Sequence, residues 1–334
     1  MTDRPPATVR TRDTDIGVLD SSGPSQFPQR TLPRARILLL DETMDARFIT
    51  VDDNSFHCLV SEPADDSAEA VILLHGWPQT AGCWRDVIPR LHGPDADARY
   101  RVVAPDLRGY GLSDKPADGY DKRSMAWDIL GIMDSLGIDR AHFVGHDRGG
   151  RVAHRLALDS PERVATLTVL DIAPTHAMFT NGRMRTAEGY FHWLLHMQKD
   201  LPEALTAGRT AEYLRYFFER WTVRRDRLDP HIDDYVRAFE QPGAMRAAFD
   251  DYRATHEDVA VDEEDFRAQR KLTMPVLALW GAGGLAANTD IATVWESYTE
   301  HVDGRAIPDC GHFIPEEAPE TLVSELREFW SQSR

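Results

Sequence analysis

The chain is expected to fold as α/β: a mostly parallel sheet with helices on both faces and an inserted helical cap. Three observations lead there. Short apolar runs alternate with segments of helical spacing, the pattern of parallel strands buried on both faces. One strand-to-helix junction, Val144-Gly145-His146-Asp147-Arg148-Gly149-Gly150-Arg151, sets glycines on both sides of an acid. Residues 175–270 mix charged and aromatic side chains at helical spacing and hold no strong strand.

Taken in order, residues 1–43 are rich in Pro, Ser, Thr, Asp and Arg without periodicity, and read as a disordered tail. Either Met1 or Met44 could be the initiator. Arg47 to Val51 and Phe56 to Val60 suggest a hairpin around Asp53-Asn54. Val71 to Leu74 is a buried strand running into His75-Gly76-Trp77-Pro78, and Trp84 to Leu91 is expected to be a helix. Tyr100 to Pro105 is the next strand, followed by Asp106-Leu107-Arg108-Gly109-Tyr110-Gly111-Leu112-Ser113. Ser124 is the expected cap of a helix that ends at Gly137. Ala141 to Val144 and Leu167 to Ile172 are strands, with the helix Arg151 to Asp159 between them. After the cap, Pro275 to Trp280 resumes the strand pattern, Asp290 to Tyr298 a helix, Arg305 to Ile307 a last strand and Glu320 to Trp330 a closing helix. The core is thus 44–174 and 271–334, the cap 175–270.

Composition narrows the function. The 334 residues carry 55 acidic against 38 basic side chains, a formal charge of −17. That argues against nucleic acid or an anionic membrane as partner, and obliges any anionic substrate to find a local cationic site. Cys58, Cys83 and Cys310 lie far apart with no C-x-x-C, so neither a disulfide framework nor a zinc site is indicated. No transmembrane run is present, and Ile37 to Leu40 is too short for a signal peptide, so the cytoplasm is the default location.

Gly145-His146-Asp147-Arg148-Gly149 matches the nucleophile elbow G-x-Nuc-x-G, with Asp147 at the reactive position. A carboxylate there can attack a saturated carbon and leave an ester that water opens. On this motif alone, a plain turn with an N-capping Asp is an equal contender. The series H-G-W-P, D-x-R-G-Y-G-x-S, G-H-D-R-G and a late G-H-F changes that balance. It resembles the α/β-hydrolase superfamily in its aspartate-nucleophile branch, and within it the fluoroacetate (haloacetate) dehalogenases. Arg148, Arg151, His192-Trp193 and Asp250-Asp251-Tyr252-Arg253 carry the narrower likeness.

The resemblance implies roles. His312 is the expected base, following the last strand, and Asp171 the acid that orients it. Asp171 is favoured because Trp280-Gly281-Ala282-Gly283-Gly284-Leu285, where many relatives carry the acid, contains none. Asp290 is the runner-up, and otherwise a helix cap. The backbone N–H groups of Trp77 and Arg148 would form the oxyanion hole; the Trp77 ring is as readily core packing. Arg148 and Arg151, three apart at a helix start, suit a substrate carboxylate, against the plainer role of pairing with the chain's many acids. His192, Trp193 and Tyr252 would hold the leaving halide, if they are not ordinary cap-core aromatics. Trp221 and Tyr190 could line the pocket and are given no role.

The expected activity is hydrolysis of a short, anionic 2-haloacid, with no cofactor or metal implied. An epoxide hydrolase is the nearest rival: it shares Asp147 and His312 but normally uses two cap tyrosines, and Trp193 stands where the second is expected. A non-catalytic ligand receptor on the same fold is the rival of another class. The resemblance further implies a homodimer.

Overall fold

Runs such as Ala-Val-Ile-Leu-Leu at 70–74 offer apolar side chains to both sides of the backbone, and each becomes an interior strand. The computed structural model describes residues 44–61, 68–92, 100–180, 184–285, 287 and 289–333. The expected tail, 1–43, lies outside the described residues.

The strands are β1 (Met44–Val51), β2 (Asn54–Ser61), β3 (Ala70–Leu74), β4 (Arg101–Pro105), β5 (Ala141–His146), β6 (Val164–Leu170), β7 (Val276–Gly281) and β8 (Val302–Ile307). They form one sheet in the order β1-β2-β4-β3-β5-β6-β7-β8. Strand β2 runs antiparallel to both neighbours, and all later pairs are parallel. Every residue of β3, β5 and β7 is buried, while the edge strands β1 and β8 mix buried with exposed positions. That contrast explains why β8 was legible in the sequence only at its end: an edge strand needs no continuous apolar run.

In the core, α1 is Ile88–His92, α2 Lys122–Ser135 and α3 Asp147–Asp159. Between β6 and β7 the described residues form no strand but the helices α4 (Thr175–Thr180), α5 (Met184–Gly189), α6 (Phe191–His196), α7 (Leu201–Thr206), α8 (Thr210–Trp221), α9 (Arg225–Leu228), α10 (Ile232–Phe239), α11 (Ala244–Arg253) and α12 (Thr255–Arg267), with a 3₁₀ turn at Asp229–His231. Then come α13 (Ile291–Trp295), α14 (Ile314–Glu317) and α15 (Pro319–Gln332). No helix among the described residues is long and apolar enough to cross a membrane.

Three local expectations are corrected. The helix expected over Trp84 to Leu91 is a 3₁₀ turn, Ala81–Trp84, capped by Thr80, followed by the separate short helix α1. Pro89 has no N–H to give to a helix begun at Trp84, and is accommodated in the first turn of one begun at Ile88. The cap of α2 is Asp121, not Ser124: its Oδ1 accepts the Ser124 N–H at 2.9 Å and its Oδ2 the Ser124 hydroxyl at 2.6 Å. Helix α3 starts at Asp147 rather than Arg151, because the turn into it is completed within a single residue.

Candidate active site

Asp147 stands at the carboxyl end of β5 with a φ of 46°, in the left-handed region that a non-glycine residue rarely adopts. The elbow survives because α3 approaches the sheet very closely. A Cβ on Gly149 would lie 2.4 Å from the carbonyl oxygens of Leu74 and His75. The partly exposed Asp147 carboxylate accepts the Trp77 N–H at 2.9 Å. No bond from the Arg148 N–H to that carboxylate is formed among the described residues, so one of the two expected oxyanion donors is engaged. Burial by itself would raise the Asp147 carboxyl, but His312, His146, Arg148 and Arg151 together hold it below its ordinary value.

His312 follows β8 and reaches back to the end of β6. Its Nδ1 lies 2.6 Å from Asp171 Oδ2, which places Nδ1–H on the acid and leaves Nε2 as the free nitrogen. Nε2 is buried and has no partner among the described residues. Asp171 has a φ of 54°, and its Oδ1 accepts the Gly281 N–H at 3.2 Å. The acid at the end of β6 thus leans over the acid-free loop after β7. Asp290 does what its alternative role required, capping α13 through the Thr293 N–H at 3.2 Å.

Helix α3 buries three arginines whose exposures are 0% (Arg148), 3% (Arg151) and 3% (Arg155). Their partners differ in a telling way. Arg155 meets Asp159 and Asp265, each at 2.6 Å. Arg148 is held by Asp251 of α11, Nε to Oδ2 at 3.0 Å and Nη2 to Oδ1 at 2.7 Å, and keeps a buried, unpaired Nη1. Among the described residues Arg151 has only neutral hydrogen-bond partners: Nη1 donates to the Ala173 carbonyl and the Thr175 hydroxyl, each at 3.0 Å, while Nε is unpaired. Burial and the neighbouring Arg148 lower its pKa, opposed by Asp147.

The cap brings His192, Trp193 and Tyr252 to this side of the sheet, but not in equivalent roles. The Tyr252 hydroxyl makes no hydrogen bond among the described residues, and His192 Nδ1 is buried without a partner. Burial drives His192 down to about 3, so its ring is neutral. Burial and the Asp147 charge raise Tyr252, keeping the phenol protonated as a donor. Trp193 departs from the expected trio. Its Nε1 donates to Thr255 Oγ1 at 2.7 Å, and its ring lies under Arg148 and Arg151, at 5.0 and 4.4 Å. The indole therefore serves as a platform for the two cations. Trp77 packs among these groups, stacked on His192 at 5.7 Å and edge-on to Trp221 and Tyr252.

The sheet order, with the strained Asp147 after β5, Asp171 after β6 and His312 after β8, agrees with the family that the comparisons show. The chain belongs to the α/β-hydrolase family. The family model of the alpha/beta hydrolase fold matches residues 69–319. A fluoroacetate dehalogenase from Burkholderia sp is 34% identical over 303 residues, covering 88% of this chain and 96% of the relative. A soluble epoxide hydrolase from Corynebacterium sp. (strain C12) is 34% identical over 284 residues, covering 80% and 92%. Among solved structures, Cfl2 from Burkholderia cenocepacia is 36% identical with a TM-score of 0.79, over 86% of this chain and 96% of that one. This α/β hydrolase is thus similar to enzymes of two chemistries, a dehalogenase and an epoxide hydrolase.

Sequence reasoning missed Asp251 and Thr255. Asp251 stood inside a recognised run, yet nothing in its spacing foretold a bond to an arginine 103 residues away. Thr255 carried no signal at all.

Proposed function

We propose that this α/β hydrolase dehalogenates short 2-haloacids, turning chloroacetate or fluoroacetate into glycolate and halide. Arg151 carries the proposal. A guanidinium taken out of water calls for an anion, and this one, alone among the three buried arginines of α3, has no carboxylate partner among the described residues. A substrate carboxylate meets that need, with the free N–H groups of Arg151 Nε and Arg148 Nη1 as donors.

In the first step an Asp147 oxygen attacks the halogen-bearing carbon; a C–O bond forms and halide leaves with the bonding pair. His192 and Tyr252 donate to the departing ion. In the second step His312 Nε2 takes a proton from water, whose oxygen attacks the carbonyl carbon of the Asp147 ester. The oxyanion is met by the Trp77 and Arg148 N–H groups. Collapse breaks the bond to the glycolyl oxygen, His312 returns the proton to it, and Asp147 is regenerated holding one oxygen from water. One water is consumed and one halide and one proton are released.

The test is a panel of fluoro-, chloro- and bromoacetate, chloroacetamide and a styrene-oxide-type epoxide, read as halide, glycolate or diol. Halide and glycolate are expected from chloroacetate, with label from oxygen-18 water entering Asp147 in a single turnover. Diol formation without halide from any haloacetate would overturn the proposal.

One observation favours a second reading. With the Trp193 N–H held by Thr255, two of the three expected donors are free among the described residues, His192 and Tyr252, which is the number an epoxide oxygen takes. A neutral epoxide, however, leaves Arg151 unmatched. The same panel separates the two.

A further inference from the structure

The loop that bears His312 is held from three directions. The His312 N–H donates to the Trp221 carbonyl at the end of α8, at 2.8 Å. The His312 carbonyl faces His146 Nε2 at 2.8 Å. The residues on either side of His312 are both bound by one carboxylate, that of Glu317, which is 2% exposed. Its Oε2 accepts the Gly311 N–H at 2.9 Å and its Oε1 the Phe313 N–H at 3.0 Å. The same Oε2 accepts the Val223 and Arg224 N–H groups, each at 2.8 Å, from the cap segment between α8 and α9.

Glu317 makes no ion pair among the described residues, so four backbone donors are what hold its charge. Two belong to the base loop and two to the cap. The approach is close enough to exclude a side chain: a Cβ on Gly311 would lie 2.3 Å from the Trp221 carbonyl oxygen and 2.7 Å from Glu317 Oε1. Trp221 continues the link, its ring 5.3 Å from His312 and 4.8 Å from His192.

We propose that Glu317 is a positioning residue that ties the base loop to the cap, so that His312 is aligned for ester hydrolysis only while the cap segment at Val223-Arg224 is seated. The proposal rests on the dehalogenase reading for the order of steps. The base acts only after halide has left, so disturbing it should slow the second step and spare the first.

The test compares wild type with Glu317→Gln, Glu317→Asp and Arg224→Pro. The last keeps the carboxylate but deletes one cap-side donor, together with the exposed Arg224–Asp226 pair, at a residue whose φ of −91° is negative as proline requires, about 25° beyond its usual value. In Glu317→Gln, kcat on chloroacetate should fall about 10–100-fold, as misplaced groups cost, with kcat/KM unchanged because it reports the alkylation step. Halide should appear as a burst of one equivalent, with the ester accumulating as added mass on the Asp147 peptide. Glu317→Asp should recover part of kcat, and Arg224→Pro should show the same pattern more weakly. Equal losses in kcat and kcat/KM, or no loss in either, would overturn the role. If Glu317→Gln does not fold, the other two variants decide it by the same readouts. If wild type releases no halide, the haloacid reading fails, and the His312 titration followed by NMR decides instead. It should move downward in Glu317→Gln, which removes a charge that raises it, and an unmoved titration overturns the proposal.

Discussion

Arg148 of the core and Asp251 of the cap form a two-bond side-chain pair with both members fully buried. Asp251 also takes the Tyr110 hydroxyl at 2.6 Å and the Lys122 ammonium. A single cap carboxylate therefore meets two buried core cations, and, paired with Arg148, it leaves Arg151 without a carboxylate partner among the described residues.

Replacing Asp251 by Asn should destabilise the fold by about 3–5 kcal/mol, since it leaves Arg148 buried without its counter-charge and Lys122 with only the longer contact to Asp258, at 3.6 Å. Urea unfolding of the two proteins checks this, and a loss under about 1 kcal/mol would mean the pair is replaced by water. The pH dependence has a definite sign. Burial would raise the Asp251 carboxyl, but Arg148 and Lys122 hold it far below its ordinary range. A depressed carboxyl adds stability that is present above its unfolded value of about 4 and is lost as pH falls through the folded value. The difference between the two proteins should thus be flat around neutrality and shrink progressively as pH falls below about 5.

The charge on Asp147 should set when His312 becomes a base. Burial lowers His312, but the hydrogen bond and charge of Asp171, then the charge of Asp147, raise it above its ordinary value. Esterification removes the Asp147 charge, so the imidazole should lose part of that rise at the step where it must accept a proton. Asp147→Asn, which mimics the neutral ester, should titrate His312 lower than wild type does by NMR. The acid limb of kcat should likewise lie below the free enzyme's His312 titration. Coincident titrations in the two proteins would refute the coupling. In linkage terms the raised His312 stabilises the fold fully below its unfolded value of about 6.5, and that contribution is lost as pH rises through the folded one. Asp147→Asn should therefore lose stability on the acid side.

Arg151→Leu should reduce kcat/KM for chloroacetate by about 10²–10³-fold, corresponding to one partner of a buried charge pair, while turnover of neutral chloroacetamide changes little. Thermal stability should hold steady or rise, because the variant no longer buries a cation that lacks an anion in the free protein. Equal losses on both substrates would make Arg151 structural.

Thr255→Val should free the Trp193 N–H from its present acceptor. Fluoride depends more on hydrogen bonds to leave than chloride does, so the ratio of fluoroacetate to chloroacetate turnover should rise. Parallel kinetics on the two substrates give that ratio directly. A ratio that falls or stays constant would show that Trp193 serves the arginines alone.

Much of this protein is written in its sequence at short range. The apolar runs of β3, β5, β6 and β7 could only be interior strands, because both of their faces must leave water. The glycines around Asp147 announced a close, strained turn, and the order of Asp147, Asp171 and His312 followed the strand ends that carry them. Local chemistry was less legible where two signals competed. Asp121 and Ser124 are both good caps, and only the backbone decided between them. Pro89 split a helix that periodicity alone would have continued.

What the tertiary structure decided was partnership. Arg148, Arg151 and Arg155 look alike in the sequence, as cations on one helix. They become a cap-bound cation, a cation without a carboxylate partner among the described residues and a structural ion pair only when α11, the segment 173–175 and α12 arrive from distant parts of the chain. Trp193 stood out in the sequence as a candidate, but the direction of its N–H depended on Thr255. Glu317 lay five residues past His312 with nothing to mark it until the backbone of Val223 and Arg224 closed over it. Hydrophobic pattern is a property of neighbours along the chain and is legible there; the pairing of a buried charge is a property of neighbours in space, which only the folded chain supplies.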